Sequence, residues 1–213
     1  MAPGRTHGKS PEEHGKIVQE GYDRIAEEYN QDRDEFDNSK EIQEFIDLLP
    51  ERASVLDIGC GGGKPILRRM IAEGYDATGI DFSQGMLEVA KGNVPQATLI
   101  HGDVTKTEFD ENSFDGIIST YAIIHIHKSL HPMIYTRIYK WLKPSGVMLV
   151  CTAHSDWEEI AEYYGVDMAW SHPAPETSLE MVKKAGFEVL FERLVPVNDE
   201  IPYWILARKP IST

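Results

Sequence analysis

The stretch Val55-Leu-Asp-Ile-Gly-Cys-Gly-Gly-Gly63 decides how the rest of this chain is interpreted. It begins as a short apolar run, which favours a buried strand, and it ends in a glycine-rich loop. Glycine lacks a Cβ atom, so the backbone of such a loop adopts positive φ angles and lets a ligand approach closely. Pro65 follows, and proline suits the first turn of a helix. The stretch therefore predicts a strand, a ligand-binding loop and a helix in succession.

Three classes of ligand use glycine loops of this kind, and the neighbouring residues separate them. A P-loop needs a lysine followed by Ser or Thr, whereas Lys64 is followed by Pro65. The dinucleotide pattern GxGxxG needs a glycine where Lys64 stands. Asp57, two residues before Gly59, instead favours a ligand with a cationic end, because a carboxylate disfavours a pyrophosphate on the same loop.

Strand and helix patterns alternate along the rest of the chain. Two β-rich runs, Phe187–Val195 and Ile201–Arg208, have no helix between them, which favours an antiparallel pair. Strands separated by helices predict a mostly parallel sheet with helices on both faces, whose ligand sites lie beyond the carboxyl ends of the strands. The other predicted strands are 54–58, 77–80, 97–101, 114–119 and 147–152, and the predicted helices are 17–29, 39–49, 83–91, 129–142 and one that a Thr177–Glu180 capping box opens.

Two aspartates stand at the ends of predicted strands. Asp81 ends the second strand, where a carboxylate accepts hydrogen bonds from both hydroxyls of a ribose, a feature shared with NAD sites. Asp103 follows the third strand, where it accepts from an adenine amino group while Val104 lies against the ring. Taken alone, an aspartate in such a place is more often a loop or capping residue, and it is the serial placement that favours a ligand.

The composition argues against several classes of protein. The 213 residues carry 21 basic and 35 acidic side chains, a net charge of -14, which disfavours nucleic acid as a partner because phosphate neutralisation supplies much of that affinity. Two cysteines are too few for a disulfide scaffold or a cysteine-rich zinc site. No apolar run is long enough to cross a membrane, and residues 1–11 lack the apolar stretch of a signal peptide. We expect a cytoplasmic protein with a disordered tail over 1–11 and one domain over 12–213.

Six motifs, taken in the order in which they follow one another along the chain, resemble those of the class I S-adenosylmethionine-dependent methyltransferases. The N-terminal motif resembles the lid helix of their small-molecule branch. The resemblance spans roughly residues 17–209 and implies a Rossmann-like, doubly wound α/β sheet of seven strands, mostly parallel with the last strand antiparallel. It also implies lid helices over about 17–49 and a substrate-side insertion over about 154–177. The motifs are Tyr22-Asp-Arg-Ile-Ala-Glu-Glu-Tyr29, Val55–Gly63, Gly79-Ile-Asp-Phe-Ser83 with Met86, Gly102-Asp-Val104, Phe114-Asp-Gly-Ile-Ile-Ser119 and Leu142-Lys-Pro-Ser-Gly-Val147.

The same resemblance implies S-adenosyl-L-methionine as the cofactor and S-adenosyl-L-homocysteine as its product. Asp57 and the glycines would hold the methionine end, Asp81 the ribose, and Thr120 would lie close to the sulfonium. For the two lid tyrosines, packing of an amphipathic helix remains an equal alternative. The implied cofactor residues are Tyr22, Tyr29, Asp57, Gly59, Gly61, Gly63, Asp81, Phe82, Met86, Asp103, Val104 and Thr120.

The loops past the fourth and fifth strands hold the candidates for binding the methyl acceptor. His125 and His172 are the candidate catalytic bases, which are needed only if the acceptor is protonated at the working pH. For Tyr163 and Tyr164, the favoured interpretation is a helix face that packs on the sheet. The predicted substrate residues are Tyr121, His125, Trp157, Trp170 and His172.

No metal is expected, because the histidines that follow the fourth strand (His125, His127 and His131) have no evident carboxylate partner. The segment Ser119-Thr-Tyr-Ala122 also replaces the Asp/Asn-Pro-Pro-Tyr/Phe motif of enzymes that methylate amino groups of nucleic acids and proteins. The sequence therefore predicts a methyltransferase that acts on a small molecule at an O, N or C atom. A non-catalytic S-adenosylmethionine-binding or regulatory protein stays open as the alternative, ahead of an NAD-dependent oxidoreductase.

Overall fold

The computed structural model describes residues 8–32, 39–197 and 200–211, so most of the predicted tail lies outside the described residues. Two sheets are present among these residues, one of seven strands and one of two. The strands are β1 (Ser54–Ile58), β2 (Asp76–Asp81), β3 (Thr98–His101), β4 (Phe114–Ser119), β5 (Leu142–Ala153), β6 (Trp157–Tyr163), β7 (Val166–His172), β8 (Glu188–Leu194) and β9 (Pro202–Arg208).

The large sheet has the order β3-β2-β1-β4-β5-β9-β8. Strands β1 to β5 run parallel to one another, whereas β9 runs antiparallel to both β5 and β8. The predicted seven-stranded sheet with an antiparallel last strand is thus confirmed. The chain adds β2 and β3 on one side of β1 and then crosses to place β4 on the other side. Doubly wound sheets bind their ligands at such a reversal of strand order.

Helices cover both faces of this sheet. Neighbouring residues of a strand point to opposite faces of the sheet. Val55 accordingly packs with α2 (Ser39–Ile46), α3 (Ile66–Ala72) and α4 (Gln84–Asn93), while Leu56 packs with α5 (His131–Trp141) and α6 (Pro175–Lys184). Within the described part of the chain, no helix combines the length and the apolar character needed to cross a membrane. The helices are α1 (Pro11–Asp32), α2 (Ser39–Ile46), α3 (Ile66–Ala72), α4 (Gln84–Asn93), α5 (His131–Trp141) and α6 (Pro175–Lys184).

The segment between β5 and α6 is a hairpin, so the expectation of a helix face at Tyr163 and Tyr164 was wrong. Strands β6 and β7 pair antiparallel through a two-residue turn, Tyr164-Gly165, in which both residues have positive φ angles (51° and 73°). This geometry matches the right-handed twist of the strands, and glycine favours it. The hairpin packs its apolar side against α1 rather than on the large sheet, in a cluster that includes Val18, Ile25 and Met168.

Two helices begin earlier than predicted, and in both cases a proline occupies the first turn. α1 begins at Pro11, where Ser10 and Glu13 form a capping box: the Ser10 hydroxyl accepts the Glu13 N–H at 3.2 Å and the Glu13 carboxylate accepts the Ser10 N–H at 2.9 Å. α6 begins at Pro175, so Thr177 lies inside the first turn and does not cap it. Proline fixes the φ angle that a first turn requires, which explains both starts.

Candidate active site

A cavity of about 1090 Å³ opens at the carboxyl ends of β1, β2 and β4, beneath α1. All but one of the cofactor residues expected from the sequence converge on it, although they come from five separate segments of the chain. Those lining it are Tyr22, Tyr29, Asp57, Gly59, Gly61, Asp81, Phe82, Met86, Asp103, Val104 and Thr120.

Gly63 is the predicted cofactor residue that does not line this cavity. Its φ angle is +82°, and a Cβ atom there would meet the side chain of Val94 at the end of α4. Gly63 is therefore required for closing the loop against α4. Gly59 does line the cavity, and with φ at +71° it lies so close to Ala122 that a Cβ atom would overlap that side chain.

Asp81 joins the glycine loop to the start of α4. Its carboxylate accepts the Gly61 N–H at 2.8 Å through Oδ2 and the Ser83 N–H at 2.9 Å through Oδ1. Burial raises the pKa of the Asp81 carboxyl to about 6, against the opposing effect of these hydrogen bonds. Each carboxylate oxygen has two lone pairs, so each can accept a further bond from a ligand hydroxyl in the cavity.

Asp103 has both of the roles that its sequence position allowed: it caps a local turn and it lines the cavity. Its Oδ1 accepts both the N–H of Thr105 at 2.9 Å and the hydroxyl of Thr105 at 2.6 Å, which is a local turn of the capping type. Its Oδ2 lies 3.3 Å from Nζ of Lys106. The side chain nevertheless lines the cavity, beside Val104.

α1 is fastened to the loop that follows β2, through residues that the sequence analysis did not single out. The side-chain amide of Gln19 donates to the carbonyl of Phe82 at 2.8 Å. Asp23 accepts the Ser83 hydroxyl at 2.7 Å and the Gly85 N–H at 3.0 Å. A carboxylate is favoured there because unsatisfied N–H groups give the N-terminus of α4 a partial positive charge.

His125 lies in the wall between this cavity and a second one of about 850 Å³. The carbonyl of Ala169 lies 2.8 Å from Nδ1 and can only accept, so Nδ1 carries the proton. Nε2 then accepts the hydroxyl proton of Tyr22 at 2.9 Å. Burial lowers the pKa of His125 to about 4, so the imidazole is neutral at pH 7.

Five aromatic rings around the second cavity form a closed circuit in which each contacts the next. The successive centroids are 5.3 Å apart from Tyr22 to Tyr29, 6.2 Å to Tyr163, 5.7 Å to Trp170, 5.5 Å to His125 and 5.3 Å back to Tyr22. We call these five rings the aromatic circuit. All of them line the second cavity, and Tyr22, Tyr29 and His125 line the first as well.

The predicted substrate residues divide into two groups. Tyr121, His125 and Trp170 line the second cavity. Trp157 and His172 line neither cavity, because they pair with each other at the end of the hairpin remote from its turn. Trp157 is 41% exposed and donates to Glu159, while His172 is buried against the carbonyl of Ser155 at 2.7 Å.

His172 is therefore not placed as a catalytic base. Both histidines were candidates in the sequence because the hairpin, which separates His172 from His125, was not predicted. Among the described residues, no group of three or more His, Cys, Asp or Glu side chains is arranged to hold a metal ion.

Comparisons with known proteins agree with this arrangement. A family model described as "Methyltransferase domain" matches residues 55–146. Phosphoethanolamine N-methyltransferase 3 of Arabidopsis thaliana is 33% identical over 181 residues, which are 78% of this chain and 35% of that protein. Sterol 24-C-methyltransferase of Pneumocystis carinii is 32% identical over 174 residues, which are 73% of this chain and 45% of that protein. The chain spans about a third to a half of the length of the curated relatives it matches.

Solved structures share the fold. The 1,6-didemethyltoxoflavin-N1-methyltransferase of Burkholderia thailandensis, solved with 1,6-didemethyltoxoflavin and S-adenosylhomocysteine bound, superposes with a TM-score of 0.78 at 20% identity over 98% of this chain and 94% of that one. A methyltransferase of Methanosarcina mazei superposes with a TM-score of 0.71 at 19% identity over 78% of this chain and 97% of that one. The motifs, the strand order and these matches agree, and the chain belongs to the class I S-adenosylmethionine-dependent methyltransferase family.

Proposed function

We propose that this protein transfers a methyl group from S-adenosylmethionine to a small-molecule acceptor. One observation carries the proposal: the cavity lined by the cofactor motifs and the aromatic second cavity share a wall that contains Tyr22 and His125. Two reactants held on either side of such a contact are brought together at high effective concentration, which supplies much of the acceleration in a transfer reaction.

The residues of the first cavity suit this cofactor. Asp57 and Asp81 place two carboxylates on its wall, which favours a ligand with a cationic end and ribose hydroxyls over one with a pyrophosphate. Phe82, Met86 and Val104 supply apolar surface for a flat base. When bound, the cofactor supplies an electrophilic methyl group on a sulfonium, so the protein's task is chiefly alignment.

Tyr22 and His125 are the residues proposed to orient the acceptor. The Tyr22 hydroxyl donates to His125, and a hydroxyl oxygen that donates can also accept a hydrogen bond, here from an O–H or N–H group of the acceptor. His125 is held in one tautomer by Ala169, so it acts through Tyr22 as a positioning residue. A proton that leaves the acceptor has a path along this pair.

α1 is proposed as a lid over the cofactor, since it contributes Tyr22 and Tyr29 to the cavity wall. The lid proposal is confined to α1, because α2 buries Phe45 and Ile46 in the core beside the sheet. The insertion over 154–177 contributes Tyr163 and Trp170 to the acceptor side. A cytoplasmic location is part of the same proposal, and the two buried free thiols are compatible with a reducing compartment.

Titration calorimetry with S-adenosylhomocysteine and with NAD tests the cofactor. We expect micromolar binding of the first and none of the second, and tight binding of NAD alone would contradict the proposal. Transfer of a labelled methyl group to a panel of small amines, phenols and carboxylates tests for catalysis. A protein that binds the cofactor yet methylates no member of a broad panel would favour the non-catalytic alternative.

A further inference from the structure

We propose that the acceptor is a weakly basic amine nitrogen on a flat aromatic body, and that the second cavity discriminates against phosphorylated amines. This inference rests on the proposed methyl transfer and assigns its acceptor class. It is carried by the aromatic circuit, by the charges around the second cavity and by the Tyr22–His125 hydrogen bond.

The aromatic circuit presents ring surface on several sides of the second cavity. The π-faces of Tyr and Trp carry partial negative charge, and they attract a cation whose centre lies within about 6 Å of a ring. They also stack with a flat apolar ligand at little cost in entropy, because each side chain has few rotatable bonds. Edge-to-face contacts of Tyr163 with Tyr29 and with Trp170 hold these rings in place before a ligand binds.

The charges around this cavity favour a cation over an anion. Among the described residues that line it there is no Lys or Arg; Glu200 is an acidic residue in the lining, which also includes the histidines His125 and His154. Phosphate groups are bound in proteins mainly by Arg, Lys and backbone N–H groups, and a phosphorylated amine would bring about two negative charges to this surface.

The chemistry of methyl transfer fits an amine at this place. The nitrogen lone pair forms the new N–C bond while the C–S bond breaks, and the bonding electrons stay on sulfur. The positive charge therefore moves from sulfur to nitrogen, into the aromatic circuit, where the ring faces stabilise it. The nitrogen then loses its proton to the Tyr22 oxygen, while the Tyr22 hydroxyl proton passes to Nε2 of His125.

The class of amine that can react is restricted further, because the His125 imidazole is neutral at pH 7. Because burial lowers its pKa to about 4, the pair cannot efficiently deprotonate an alkylammonium ion, whose pKa is several units higher. An aromatic amine is already neutral at pH 7, so its lone pair is available without a base. A phenol would have to lose its proton first, and the resulting anion would lie against negative ring faces.

Matched pairs of compounds test the proposal on the full chain. The panel contains aromatic amines, such as 6-aminoquinoline, with their hydroxyl counterparts, such as 6-hydroxyquinoline, and also phosphoethanolamine. Binding of each compound is measured on protein saturated with S-adenosylhomocysteine, and methyl transfer is measured by mass spectrometry. We expect aromatic amines to bind and to be methylated at least 10-fold more efficiently (kcat/KM) than either other class.

Equal or better transfer to phosphoethanolamine or to the hydroxyl compounds would overturn the acceptor class, and so would a panel in which no aromatic amine binds or reacts. In these cases the binding of S-adenosylhomocysteine, or methyl transfer to another class, still reports separately on the proposed function. The two inferences therefore fail by different readouts.

Two tryptophans of the same hairpin provide a matched pair of variants. Trp170 belongs to the aromatic circuit and lines only the second cavity, whereas Trp157 lies outside both. We expect Trp170→Leu to raise the acceptor KM about 10-fold, Trp170→Phe to restore most of that loss, and Trp157→Leu to change it less than twofold. S-adenosylhomocysteine affinity should stay the same in all three. An unchanged acceptor KM in a folded Trp170→Leu protein would remove the aromatic circuit from acceptor binding.

Discussion

The hydroxyl of Tyr22 donates a 2.9 Å hydrogen bond to Nε2 of His125 across the wall between the two cavities. This bond joins α1 to the loop after β4, and the bond from Nδ1 to Ala169 continues the link to the hairpin. Three elements far apart in the sequence are thus tied together at the point where donor and acceptor would meet. The Tyr22–His125 bond depends on the position of α1, because a displacement of this helix would remove the Tyr22 hydroxyl from the site.

Replacing Tyr22 by Phe tests this link. The ring and its contact with Tyr29 remain, while the hydroxyl that orients the acceptor is lost. We expect kcat to fall about 100-fold, the lower end of the range that is usual for a group that handles a proton, while S-adenosylhomocysteine affinity changes less than about threefold. Steady-state kinetics and calorimetry measure both. Tyr139→Phe, on α5 and outside both cavities, is the control and should behave as wild type. A Tyr22→Phe protein with full kcat would show that the hydroxyl does not take part.

The parts of the site predicted correctly from the sequence are those whose signals are local. Asp57, Gly59 and Asp81 stand at fixed places in strand–loop–helix units, and the topology of a doubly wound sheet brings the ends of such strands together. The capping box of Ser10 and the proline after it are also recognisable in the sequence, but the predicted helix begins only at the first apolar repeat, at Ile17.

The acceptor side depended on tertiary contacts that no local pattern reveals. The hairpin was missed because the apolar–polar alternation of its strands is weak and because Tyr164-Gly165 lacks the Asn or Asp that marks a two-residue turn. Without the hairpin register, Trp157 could not be separated from Trp170. Gln19 and Asp23 resemble exposed helix residues in the sequence, and only the packing of α1 on the β2–α4 loop gives them partners.

Asp81 provides a prediction on cofactor binding. Asp81→Ala removes an acceptor for ribose hydroxyls and also leaves the N–H groups of Gly61 and Ser83 without their partner. We expect a loss of about 2–4 kcal/mol in S-adenosylhomocysteine binding, because hydrogen bonds to a charged group are individually strong. Asp115→Ala is the control: Asp115 bonds Ser54 and Lys143 at the other end of the sheet, so its loss should lower only the melting temperature. Binding within twofold of wild type by Asp81→Ala would place the ribose elsewhere.

The raised pKa of Asp81 predicts a pH dependence. With a folded-state pKa of about 6 against an ordinary value of 3.8, the carboxyl binds a proton more readily in the folded protein. Its contribution to the stability of the free protein is fully present below pH 3.8 and is lost as the pH rises through 6. Cofactor binding has the opposite dependence, since ribose hydroxyls need the ionised acceptor, so affinity should fall as the pH drops below 6. Calorimetry between pH 5 and pH 8 measures this, and Asp81→Asn should flatten the profile between these limits. An unchanged slope in Asp81→Asn would assign the pH dependence to another group.

Asp23 tests whether α1 acts as a lid. Asp23→Ala removes the acceptor of the Ser83 hydroxyl and the Gly85 N–H, so α1 should detach more often from the cofactor loop. We expect faster hydrogen exchange over residues 11–32 in the variant, and slower exchange there in wild type when S-adenosylhomocysteine is added. Glu27→Ala is the control, since this acidic residue is exposed on the same helix. If the cofactor protects other segments but leaves residues 11–32 unchanged, α1 is a fixed wall and not a lid.

Two glycines of α1 test how the lid and the hairpin depend on each other. A Cβ atom at Gly15 would meet nothing within 4 Å, whereas one at Gly21 would lie 2.9 Å from Cε of Met168 and 3.1 Å from the carbonyl oxygen of Asp167. Alanine favours a helix over glycine by about 1 kcal/mol, so Gly15→Ala should raise the melting temperature. Gly21→Ala gains the same helical preference but must displace the buried end of the Met168 side chain and shift the Asp167 carbonyl slightly, so we expect no rise in melting temperature. Because β7 carries Trp170 and Ala169, that variant should also raise the acceptor KM. Thermal unfolding and steady-state kinetics of the two variants test this dependence. If both variants raise the melting temperature equally and leave the acceptor KM unchanged, the hairpin does not rely on close packing against α1.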